Sequence, residues 1–141
     1  MNSYLTSDLV IRMLTFRLNS SSGIPPYLQI AHQVRQALLA GVLRPGDQLP
    51  TVKEVVGQLA VNPNTVFKSY RELEREGLVQ GRPGSGTFVL RRPEGPPPDA
   101  HARLARTLRK WIDGARDAGL DDASIEAMVR VALSVQDEAI A

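Results

Sequence analysis

The sequence predicts a mainly helical fold with one small β-hairpin. Three observations carry that expectation. Apolar residues recur at helical spacing in five separate runs, bounded by capping residues, prolines or glycines. One pair of short β-branched and aromatic runs, Leu78-Val79 and Thr87-Phe88-Val89, flanks the glycine-rich stretch Gly81 to Gly86. The chain has 141 residues, 43% hydrophobic, which suits one small domain with an appendage.

The elements follow in order. Residues 1–12 show no periodic pattern and are expected to be mobile. Leu14, Phe16 and Leu18 alternate with polar residues and are expected to form a short half-buried strand. Met13 stands where that pattern begins and is a candidate start of the native chain, which intact mass would settle. A loop, Asn19 to Gly23, leads to Pro25-Pro26 and a first helix over about Tyr27 to Ala40. Tyr27, Ile30, Ala31, Val34 and Leu38 line its apolar face, and Gly41 stops it. Pro45-Gly46 reads as a tight turn. Thr51 to Glu54 is a capping-box pattern opening a second helix that ends near Leu59 and buries Val52, Val55, Val56 and Leu59.

Asn62-Pro63 opens the third helix, since Asn is a good N-cap and Pro at the first helical position loses no needed hydrogen bond. Its stripe is Val66, Tyr70 and Leu73, and Gly77 ends it. After the hairpin, residues 93–99 read as an extended proline-rich linker. A fourth helix over about Ala100 to Ala118 carries Leu104, Leu108, Trp111, Ile112 and Ala115 on one face. A fifth, capped near Asp121, carries Ile125, Met128, Val129, Ala132 and Leu133. The expected domains are therefore an N-terminal arm (1–25), a helical and hairpin domain (26–92), the linker (93–99) and a two-helix segment (100–141).

Charge divides along the same lines. The net +2 resolves into +1 over residues 1–25, +4 over 26–92 and −3 over 93–141. A basic middle with an acidic tail suggests a polyanion partner for the first and a protein partner for the second. There is no cysteine, hence no disulfide or Cys-ligated zinc. His32 and His101 stand alone, without metal-ligand spacing, and no cofactor is expected. No apolar stretch approaches the roughly 20 residues of a membrane helix. No basic run precedes an apolar one at the N-terminus, so a soluble, cytoplasmic chain is the expectation.

Helix, helix, short turn, helix, hairpin is the order of a winged helix-turn-helix, in which the third helix enters the DNA major groove. The face of that helix opposite its core carries Asn64, Lys68, Arg71 and Arg75 at i, i+4, i+7 and i+11. Such cations neutralise phosphates. Asn64 and Thr65 near the helix start are short enough to reach base edges. Arg82 adds a cation on the hairpin. An enzyme is not expected, because no nucleophile constellation or phosphate loop stands in the sequence. A winged helix serving only as a protein-interaction module is the rival, and it needs no such stripe.

Residues 26–89 resemble the DNA-binding domain of the GntR family of bacterial transcription regulators. The matching strings are Tyr27-Leu-Gln-Ile30, Gly41-Val-Leu-Arg-Pro-Gly-Asp-Gln-Leu-Pro50, Asn64-Thr-Val66, Arg71-Glu-Leu-Glu-Arg-Glu-Gly-Leu78 and Gly84-Ser-Gly-Thr-Phe-Val89. Val61 to Val66 with Tyr70 to Glu74 looks most like the YtrA subfamily. The resemblance implies that Lys53, where the family usually has an arginine, contacts DNA. It places Asn62, Asn64 and Thr65 at recognition-helix contacts and Gly84 at the wing tip, beside the minor groove. Pro63 and Phe67 replace arginines of many members, and Ser85 replaces a commonly basic wing residue. An operator is therefore not carried over from the wider family. Two roles suit Phe67: packing on a thymine methyl, or packing against its own domain; the second is the expectation.

The tail face of Leu104, Leu108, Trp111 and Ile112, with Ile125, Met128 and Val129, is more apolar surface than a two-helix appendage can hide. The resemblance implies homodimerisation through it, and two such hairpins would pair as a four-helix arrangement. The expected function is a dimeric repressor on an inverted-repeat operator of double-stranded DNA. By family resemblance that operator belongs to a transporter operon. No small-molecule effector is assigned.

Overall fold

The computed structural model describes residues 14–140, with side chains over 14–135. The expectations for residues 1–12 and for Met13 lie outside the described residues. Five helices and one hairpin follow in order: α1 Pro26–Leu39, α2 Val52–Leu59, α3 Pro63–Arg75, β1 Val79–Arg82, β2 Gly86–Val89, α4 Pro98–Asp117 and α5 Asp122–Ile140. They fall into two compact units, divided after His101.

The first unit is built around the apolar stripes of α1, α2 and α3. Ile30, Val34 and Leu38 of α1 meet Val55 of α2 and Val66 and Leu73 of α3 in one buried cluster, closed by Leu43, Leu49, Leu78, Val79 and Val89. The helices stop where the chain reverses. Gly41 and Gly77, both at φ 77, adopt the left-handed turn that a side chain resists. Their N–H groups and those of Val42 and Leu78 return to carbonyls of the last helical turn.

β1 and β2 pair antiparallel with Val79 opposite Val89 and Arg82 opposite Gly86. A third piece joins the sheet where only a turn is expected from the sequence. Gln48 bridges to Phe88. The Leu49 N–H donates to Thr87 O (2.8 Å), and the Val89 N–H donates to Asp47 O (2.8 Å). The segment after the Pro45-Gly46 turn thus ties the hairpin back to the helices.

The strand expected at Leu14 to Leu18 is not formed. Leu14 and Phe16 are buried, and Thr15 and Arg17 beside them are exposed, as expected from the alternation. The backbone there pairs with glutamine side chains instead of a strand. Gln33 Oε1 accepts from the Arg17 N–H (2.9 Å) and its Nε2 donates to Arg17 O (2.6 Å). Gln29 does the same for Asn19, at 2.8 and 2.9 Å. Gln58 of α2 accepts from the Phe16 N–H (3.3 Å).

The capping box of α2 is half made. Thr51 Oγ1 accepts from the Glu54 N–H (3.1 Å). Glu54 leaves its Oε2 buried without a hydrogen bond. Tyr70 lies near it, donating its hydroxyl to Pro50 O (2.6 Å). Burial first, and then the Glu54 charge, push the Tyr70 phenol well above its ordinary pKa.

The segment after the hairpin is held to the first unit. Arg92 donates to Leu39 O (2.8 Å) and to Pro96 O. α4 begins at Pro98, two residues before the start expected from its periodicity. His101 Nε2 stands 3.0 Å from Gln36 Oε1.

In the second unit, Asp121 caps α5 by accepting from the Ser124 N–H (2.8 Å), a bond that holds its carboxyl below the usual range. Arg116 pairs with Asp122 at 3.0 Å. Ile125 is buried. No helix of the described residues is long and apolar enough to cross a membrane.

Candidate nucleic-acid interface

The turn from α2 to α3 sets the site. Ala60 sits at φ 53, a left-handed conformation that reverses the chain in a single residue. Asn62 then caps α3: its Oδ1 accepts from the Asn64 N–H (2.9 Å), with Pro63 in the first turn. The inward arc of α3 is Val66, Ser69, Tyr70 and Leu73, all buried. At about 100° per residue, Asn64, Lys68, Arg71 and Arg75 fall on the opposite side. All four are exposed, as are Lys53 and Asn62, while Thr65 is half-buried.

The cations of this stripe differ in their engagement. Lys68 Nζ lies 4.1 Å above the Tyr27 ring of α1, which orients it while leaving its charge intact. Arg75 is bonded to Glu72 one turn back. That bond draws the Glu72 carboxyl below its usual range and raises the Arg75 guanidinium. Arg71 stands in no ion pair among the described residues. Glu76 is drawn the other way, to Arg35 of α1 at 2.8 Å. An acid at the end of α3 is thus neutralised away from the stripe.

The hairpin supplies the second wall. Its tip turns through Arg82-Pro83-Gly84-Ser85, with the Ser85 N–H donating to Arg82 O (2.9 Å). Gly84 holds φ 76, and a methyl there would meet nothing within 4 Å, so the backbone of the tip is open. The Arg82 guanidinium lies 4.6 Å over the Phe88 ring. Two contacts that the sequence pattern does not reveal brace the wing. Glu74 of α3 accepts from the Gly81 N–H (3.1 Å), and Gln48 Nε2 donates to Ser85 O (3.2 Å).

Between α3 and the hairpin runs an open cleft of about 680 Å³, lined by Phe67, Arg71, Glu74, Arg82 and Gly84, with Thr51 at its edge. The structure thus brings together Arg71, Arg82 and Gly84 of the residues singled out in the sequence. Asn64, Lys68 and Arg75 lie on the exposed helix face beside it, and Lys53 stands on the first turn of α2 outside it. Phe67 packs against its own domain only in part. It leaves 49% of its surface exposed, because it lies one residue round from Val66, off the buried arc.

A second surface lies on the two-helix unit. Leu104, Leu108, Trp111, Met128 and Val129 are exposed, Leu108 at 53% and Trp111 at 42%. Ile112 is half-buried, and Ile125 is already buried. Val131, Leu133 and Val135 extend the exposed set. Leu108, Trp111, Met128, Val129, Ala132 and Leu133 line an apolar groove of about 330 Å³. Among the described residues no group of three or more acids or histidines stands where it could hold a metal ion.

Residues 26–89 match the family model of bacterial regulatory proteins, gntR family. The chain is 39% identical over 104 residues to the HTH-type transcriptional regulator Rv1152 of Mycobacterium tuberculosis, covering 74% of this chain and 82% of that one. It is 42% identical over 73 residues to the HTH-type transcriptional repressor YtrA of Bacillus subtilis, over 52% of this chain. It spans only 56% of that repressor's length. Among solved structures, YtrA from Sulfolobus acidocaldarius, a GntR-family transcription factor, matches with a TM-score of 0.50 and 30% identity, over 67% of this chain and 98% of that one.

Proposed function

The chain belongs to the gntR family of bacterial regulatory proteins, in its YtrA subfamily, and from that premise we propose that it is a homodimeric repressor reading an inverted-repeat operator. The observation that carries the reading is the exposed face of α3, Asn64, Lys68, Arg71 and Arg75, set beside a wing that presents Arg82 and the open backbone of Gly84. In this reading α3 lies in the major groove. Asn62, Asn64 and Thr65 at its start approach base edges, Arg71, Arg75 and Lys68 neutralise phosphates, and Lys53 and Arg82 add cations on either flank. The N-terminus of α3, already capped by Asn62, adds the partial positive charge of the helix dipole.

Leu104, Leu108, Trp111, Met128 and Val129, with Ile112 and Ile125 behind them, form the dimerisation surface. The support is chemical: large side chains exposed on one short helical hairpin lose free energy to water until a second copy covers them. Two recognition helices then reach half-sites roughly one helical turn, about 34 Å, apart. The subfamily resemblance points to a transporter operon as the target.

Selection of bound sequences from random duplex DNA tests the whole reading. Enrichment of an inverted repeat, with affinity falling steeply as salt rises, is the expected result. Enrichment of one asymmetric half-site removes the dimer. Absence of salt-dependent binding removes DNA as the partner and favours a protein-interaction module.

A further inference from the structure

We infer that Phe67 is a specificity-determining residue that reads the 5-methyl group of one thymine in each half-site. The inference rests on the DNA-binding reading above and assigns to it a base that the polar stripe does not.

Three observations carry it. Phe67 is exposed over 49% of its surface, on a helix whose other exposed residues beyond Pro63 are polar. It stands one turn after Asn64 and one turn before Arg71, so it lies between the start of α3 and a cation of the stripe that is in no ion pair among the described residues. It also lines the cleft that Arg71 and Arg82 frame. A phenyl ring has no donor or acceptor, so it cannot read the hydrogen-bonding pattern of a base edge. The thymine methyl is the apolar group that the major groove offers, and aromatic contact with it is an established means of base discrimination. Arg71 and Arg82 would hold phosphates on either side, which presses the ring toward the base edges rather than the solvent. Glu74, which lines the same cleft, is engaged with the Gly81 N–H of the hairpin.

The test uses the full chain and the operator obtained by selection, with each thymine replaced in turn by deoxyuridine. That replacement removes one methyl and leaves every hydrogen bond. The wild-type chain is expected to lose affinity about fourfold at one position per half-site, the value of one buried methyl. Phe67→Ala is expected to bind the thymine operator more weakly and to show no difference between thymine and deoxyuridine at that position. Phe67→Ser, read by the same scan, guards against a packing effect peculiar to alanine. Indifference of the wild-type chain to every replacement overturns the inference while leaving the operator reading intact. So does methyl sensitivity that survives in both variants. Failure of the wild-type chain to bind any duplex overturns the operator reading itself.

Discussion

Ala60 occupies a left-handed conformation at φ 53 that a Cβ disfavours by roughly 1–2 kcal/mol. It is held there because α2 and α3 must meet at a fixed angle for Val55 and Val66 to share one core. Replacing it with glycine removes the clash and costs some chain entropy. Ala60→Gly is expected to stabilise the protein by about 0.5–1 kcal/mol, seen as a higher urea midpoint at unchanged slope. Arg71 illustrates the opposite kind of residue, one whose value lies outside the fold. It is exposed and pairs with no acid among the described residues. Arg71→Ala is expected to leave the unfolding midpoint alone, weaken binding to all duplexes and reduce the log–log salt slope by about one. A slope that stays put would remove Arg71 from the phosphate contacts. The position of these side chains on α3 is legible from spacing, because a period of 3.6 converts number into angle. The engagement of Lys68 by Tyr27 is not, since it depends on where α1 crosses.

At the scale of elements, the arm at Leu14 to Asn19 shows how side chains replace a missing strand. A glutamine amide presents a carbonyl acceptor and N–H donors, the same kinds of group as a peptide bond. Gln29 and Gln33 are four residues apart on α1 and so share a face. They meet Arg17 and Asn19, which are two apart on an extended chain and so point the same way. The alternation of Leu14 and Phe16 correctly marks the buried side. It is silent about the hydrogen-bond partner, because burial period and ladder pairing are separate properties of an extended chain. Gln33→Ala removes two bonds to Arg17 and is expected to cost about 1–2 kcal/mol, with faster exchange of the Arg17 amide. Unchanged exchange would mean that burial of Leu14 and Phe16 alone holds the arm. The third sheet segment at Gln48 escapes the sequence for a related reason. One isolated bridge leaves no periodic trace in so short a segment.

At the scale of the molecule, two compact units carry charges of opposite sign. Within the basic stretch of residues 26–92, Lys68, Arg71, Arg75 and Arg82 stand on α3 and the hairpin, where Glu72 pairs with Arg75, Glu76 with Arg35, and Glu74 accepts from the Gly81 N–H. The tail carries net −3 and exposes Leu108 and Leu133, at 53% and 62%. Leu108→Asp places a charge in that apolar groove. Sedimentation is expected to show monomers, with affinity for a full inverted repeat falling toward that for one half-site. A variant that remains dimeric would place the interface elsewhere. This substitution changes an exposed residue, so the helical content of the isolated chain is expected to persist in circular dichroism.

The sequence by itself determined the five helices and the hairpin, their order, the cap of α3 and the outward stripe on it, because capping chemistry and helical period act over a few neighbouring residues. Tertiary structure decided the rest. It decided that the arm is held by glutamines, and that Glu74 and Gln48 brace the wing. Each of these depends on which elements cross and at what distance, and contacts between residues far apart in the chain leave no periodic trace along it.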